Sequence, residues 1–101
     1  MDKSICWKPQ ERAFNLAKSR GGDILKKYLR NSSSAFIKKP NVRNRVFEIF
    51  GRKCAECVAT EDLQIDHIKS VYSATVENIY LINSIINLQV LCRKCNTSKN
   101  P

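Results

Sequence analysis

The residues that could do chemistry lie in the second half of the chain. Cys54-x-x-Cys57 and Cys92-x-x-Cys95 are separated by 34 residues. Two residues between cysteines let a turn point both sulfurs at one ion, and two such pairs complete a tetrahedral four-thiolate zinc site. With every position taken by protein, no place is left for a reactive water. The expected Zn²⁺ is therefore structural and ties together the two ends of the segment it brackets. A redox C-x-x-C would not come twice, and disulfides belong to oxidising compartments. Between the pairs stands the one histidine of the chain, in "LQIDHIKS". Neutral imidazole, with a pKa of about 6.5, can accept a proton at physiological pH. A lone histidine is more often structural, so its surroundings matter. Asp66 precedes His67, Asn87 opens "NLQVLC", and Asn96 directly follows the last cysteine. Taken singly, these read as a surface carboxylate, a turn residue and a helix-start residue. Cys6 is left over and reads as a small, buried or partly buried apolar residue with no assigned role.

Elements must hold these side chains. "LQIDH" alternates Leu63, Ile65 and His67 on one face, which predicts a strand, and "NLQVLC" predicts a second. Adjacent strand residues point to opposite faces, so Asp66 and His67 can share a site only if the strand ends or bulges there. "RKCNTSKNP" begins a short helix, and "KSVYSATVENIYLINSII" is a connection that can carry a helical turn. Upstream, "WKPQERAFNLAKSRGG" predicts a helix with Pro9 near its start, ended by Gly21-Gly22. "DILKKYLRN" predicts a second helix capped by Asp23, and "NSSSAFIKKP" a polar linker stopped by Pro40. "NVRNRVFEIFG" predicts a third, capped by Asn41 and ended by Gly51, with Val42, Val46, Ile49 and Phe50 at helical spacing.

Length and charge bound the rest. A chain of 101 residues is one small domain whose core would gain from an added metal. No apolar run approaches a membrane span and no signal peptide is evident, so the expected compartment is the cytoplasm and no membrane partner is expected. The net charge is +9, unevenly spread: residues 1–53 carry 14 basic and 4 acidic side chains, a balance of +10, and residues 54–101 carry 4 and 5, a balance of −1. A basic half of this kind suits a phosphate backbone. It also suits a solvated surface or a face for acidic lipid.

Three stretches, "NVRNRVFEIFGRKCAEC", "LQIDHI" and "NLQVLCRKCNTSK", resemble the HNH endonuclease family, and together cover residues 41–99. The resemblance implies an α+β, ββα-metal (His-Me finger) unit over residues 41–101 with a four-cysteine structural zinc, preceded by a basic helical extension over residues 1–40. It implies that His67 is the general base, that Asp66 and Asn96 hold one divalent cation, Mg²⁺ or Mn²⁺, and that Asn87 bonds across the hairpin to hold the loop presenting His67. Cys54, Cys57, Cys92 and Cys95 would be the zinc ligands. Asn96 stands where the family's last histidine usually does. The family also commonly has glycine after the first C-x-x-C, where this chain has Val58.

The resulting expectation is a metal-dependent DNA endonuclease, bacterial or phage-encoded, acting on double-stranded DNA. The basic segment from Lys3 to Lys53 would grip flanking phosphates, and Arg43, Arg45, Arg52, Lys53, Arg93 and Lys94 lie nearest the motif and would contact the backbone. Cutting both strands would take a homodimer or two successive nicks. The alternative is a non-catalytic zinc-ribbon DNA-binding module, which needs the cysteines and the charge but not Asp66, His67 and Asn96 together. An RNA substrate also stays open, because phosphate contacts carry no base information.

Overall fold

A computed structural model describes residues 6–99 of the chain. Three helices come first: α1 (Glu11–Arg20), α2 (Gly22–Phe36) and α3 (Pro40–Phe50). Strand β1 (Leu63–His67) follows, then a 3₁₀ turn (Val71–Ser73), the single-turn helix α4 (Ile79–Ile82), a second 3₁₀ turn (Ile85–Asn87), strand β2 (Leu88–Cys92) and helix α5 (Arg93–Lys99). The strands pair antiparallel, with Leu63 opposite Cys92 and His67 opposite Leu88. The architecture is α+β, a two-stranded sheet with helices.

Local chemistry sets the helix ends. The Gln10 side chain accepts from the amide of Ala13 at the start of α1, and Gly21, at φ 64°, closes it. Gly51 closes α3 at φ 84°, where only glycine is unstrained. Pro40 opens α3 instead of ending the preceding segment, since its fixed φ suits the first helical position and its missing N–H costs nothing there. Lys39, not Asn41, is the α3 N-cap, and Gly21, not Asp23, is that of α2.

The largest departure from the sequence reading is in α2, which runs on through Ser32, Ser33 and Ser34 to Phe36. Serine is an indifferent helix former, but Leu25, Leu29, Ser33 and Phe36 fall on one stripe, and packing of that stripe outweighs propensity. Leu29 and Phe36 are buried in one cluster with Val42, Val46, Ile65, Leu88 and Val90. The stripe thus buries α2 in a core shared with the strands, and truncating Phe36 to alanine would cost about 3–5 kcal/mol. Trp7 adds edge-to-face contacts with Phe14 and Tyr80, tying the start of the chain to α1 and α4. Cys6 is exposed, not buried, and its thiol is free. Among the described residues no helix is long and apolar enough to cross a membrane.

Candidate active site and zinc centre

Candidate functional residues gather at both ends of the hairpin. At the Leu63–Cys92 end the four cysteine sulfurs lie within 4.8 Å of one another. A tetrahedron with Zn–S bonds of about 2.3 Å has sulfurs about 3.8 Å apart, and the Cys57–Cys92 separation is 3.6 Å. None of the four is in a disulfide. Burial pushes Cys54 up, but backbone N–H groups at Cys92, Cys57 and Glu56 and the Cys95 thiol outweigh it and bring Cys54 down to about 6. Cys95, donating toward Cys57 and Cys92, is pushed up to about 12. A ready thiolate at Cys54 beside a Cys95 thiol that resists ionisation is a set that a cation completes, because zinc displaces the remaining protons. The knuckle is held by Cys54 donating to the Ala59 carbonyl and Ala55 to that of Val90. Val58, following Cys57, sits at φ 57°. That is the left-handed region, which explains why glycine suits this position.

At the other end lie Asp66 and His67. Strand β1 stops at His67, and an open cavity of about 730 Å³ wraps that end, so both side chains line it, together with Asn96, Lys99, Ser70 and Tyr72. The two periodicities match here. Gln64 and Asp66 share one face of β1, and Asn96 and Lys99, three apart, share one face of α5. Asn96 Nδ2 donates to Gln64 Oε1 at 2.6 Å, and Lys99 Nζ donates to Asp66 Oδ2 at 2.5 Å. Lys99 also donates to the carbonyls of His67 and Ile68, and Gln89 donates to the same oxygen of Asp66. With its nitrogen committed, Asn96 leaves Oδ1 buried with no hydrogen-bond partner among the described residues.

His67 is only 6% exposed. Its Nε2 meets Asn83 Oδ1 at 2.8 Å, and Asn83 Nδ2 donates to Ser33 Oγ at 2.9 Å. Burial lowers the pKa of the ring; the Asn83 contact and Asp66 pull it up, and Lys99 pushes it down. The net direction favours a neutral imidazole. Asn87 clasps the loop after His67: its Oδ1 accepts from the Lys69 amide, and its Nδ2 donates to the carbonyls of Lys69 and Ile82.

Residues 54–101 match the model of the HNH endonuclease family. The match places an HNH endonuclease domain at residues 54–101. No curated protein and no solved structure matches the chain. The four cysteines of this HNH domain form the cluster of its zinc-stapled subtype.

The basic residues singled out in the sequence lie elsewhere on the molecule. Arg43 and Arg52 both lie over the ring of Phe47, Arg45 pairs with Glu48, and Lys53, Arg93 and Lys94 are exposed. None of the six lines the cavity that holds Asp66 and His67. Lys3 lies outside the described residues. Sequence reasoning missed Asn83, Ser33 and Lys99. Asn83 had one signal, as the polar letter inside the apolar run "IYLINSII". Such a residue, if buried, must find partners.

Proposed function

We propose that the HNH domain is a working DNA endonuclease, hydrolysing phosphodiesters with His67 as general base and one divalent cation, Mg²⁺ or Mn²⁺, held by Asp66 and Asn96. The observation that carries this reading is the buried, unpartnered Oδ1 of Asn96, on a residue that lines the same cavity as Asp66 and His67. A buried acceptor without a partner costs about 1–3 kcal/mol, and an oxygen ligand of this kind suits a hard cation. When bound, the cation supplies charge stabilisation to the phosphate and to the leaving oxygen. His67 takes a proton from the attacking water at Nδ1, the ring nitrogen left over once Nε2 is bonded to Asn83. Asn87 fixes the loop that follows the base through its bonds to Lys69 and Ile82.

Arg43, Arg45, Arg52, Lys53, Arg93 and Lys94 grip phosphates flanking the cut, alongside a basic extension over residues 1–40. This grip is sequence-independent and salt-sensitive. A double-strand break takes two copies of the chain or two successive nicks.

The second reading is a non-catalytic zinc-ribbon DNA-binding module. One observation favours it: the Lys99 ammonium already neutralises Asp66. The two readings separate on supercoiled plasmid. Conversion to open circles or linear DNA with Mg²⁺ or Mn²⁺, lost in EDTA, supports the enzyme. No cleavage with either ion, while the protein still retards DNA on a gel, supports the binding module.

A further inference from the structure

We infer that Asn83 and Ser33 are positioning residues for His67, fixing the imidazole as its Nε2–H tautomer and so reserving Nδ1 as the proton acceptor. The inference rests on the reading of His67 as a general base, but its first test does not. Asn83 is 2% exposed and Ser33 0%. An amide and a hydroxyl in such surroundings are retained only when hydrogen-bonded. Here the bonds run in series across three elements: His67 ends β1, Asn83 follows α4, and Ser33 lies within α2. The amide presents Oδ1 to the ring and spends Nδ2 on Ser33 Oγ. An oxygen facing Nε2 can only accept, so Nε2 carries the proton and Nδ1 keeps its lone pair. Ser33 anchors the far end of the amide, because its Oγ accepts from Nδ2. Without it the amide could turn and donate to Nε2, which would move the ring proton to Nδ1.

When His67 takes a proton from water at Nδ1, the imidazolium keeps its Nε2–H bond to Asn83 Oδ1, so the charged form is stabilised without moving any heavy atom. The consequence for the fold is specific. Helix α2, which belongs to the basic extension, supplies a side chain that acts on the catalytic ring through Asn83.

The chain has one histidine, so the ring nitrogens of the zinc-loaded full-length protein can be read by ¹⁵N NMR without assignment, at a pH well above the ordinary histidine value. The expected wild-type spectrum shows Nε2 protonated and Nδ1 bare. Asn83→Leu, close in shape but with no acceptor, should give a mixture of tautomers and lower kcat on plasmid by about 10- to 100-fold, part of what a positioned base contributes, with KM for DNA little changed. Asn83→Asp retains an acceptor and should recover the tautomer and part of the lost kcat. Ser33→Ala should mix the tautomers to a smaller extent. If Asn83→Leu does not fold, Asn83→Asp and Ser33→Ala carry the test. A wild-type ring protonated at Nδ1, or variants that keep both the wild-type tautomer and its kcat, would overturn the inference. A protein with the expected tautomer that cuts no DNA would instead defeat the nuclease reading.

Discussion

The ammonium of Lys99 lies 2.5 Å from Asp66 Oδ2, and the two side chains face each other across the gap between α5 and β1. Lys99 occupies the charge position that a divalent cation bound to Asp66 would claim. The pair is partly exposed, with side chains 34% and 12% accessible, so its worth is at most about 1 kcal/mol. Lys99→Met should therefore tighten Mn²⁺ binding by about two- to fivefold, read by calorimetry or by the Mn²⁺ spin-resonance signal. Unchanged or weaker binding would mean that Lys99 and the ion do not compete.

Zinc should hold the hairpin together from the end opposite His67. Metal binding at a closed four-thiolate site is folding free energy, of a size comparable with the whole stability of a small domain. Stripping the ion with a strong chelator should abolish cooperative melting of the segment from Cys54 onward, and Cys92→Ser should do the same. Retained melting after verified loss of zinc would show that the core alone sustains the hairpin.

Val58 holds a left-handed backbone with a β-branched side chain, at φ 57° and 66% exposed. That conformation costs a β-branched residue more than glycine, even after glycine's greater chain entropy is counted. Val58→Gly should stabilise the zinc-loaded protein by about 1 kcal/mol, raising Tm by about 4–8 °C. A lowered Tm would mean that the side chain contributes packing there that its exposure does not suggest.

Burial lowers the pKa of His67 in the folded chain below the unfolded value of about 6.5. Below that pH the unfolded chain takes up a proton that the folded chain does not yet bind. The contribution of neutral His67 is thus complete above about pH 6.5 and is lost as pH falls through the folded value. Without added divalent cation, wild-type stability should decline on acidification more steeply than that of His67→Gln. The opposite order would mean that Asp66 and the Asn83 contact outweigh burial.

Much of this site could be read from local sequence, and the rest could not for a physical reason. The cysteine pairs, the two strands and the glycine ends of α1 and α3 depend on neighbours a few residues away. So does the position of Asp66 beside His67, because it follows from where one strand stops. Asn83 and Ser33 depend on partners 16 and 50 residues distant, and only the burial of α2 in the shared core brings them to His67. That packing also overrides the weak helix preference of Ser32–Ser34, which is why the segment reads as a linker. The role of Lys99 needs the match between a strand period and a helix period, which neither segment displays alone.

The central claim is that His67 does chemistry and is not only a buried ring. The direct test sets His67→Ala beside the wild type on supercoiled plasmid with Mg²⁺ or Mn²⁺, and measures DNA retardation on a gel in parallel. The account predicts that cleavage falls by at least about 10²-fold, the lower range for a lost general base, while retardation and zinc content stay near wild type. Cleavage that survives, or that falls only in step with DNA binding and melting temperature, would contradict it and leave His67 a structural residue.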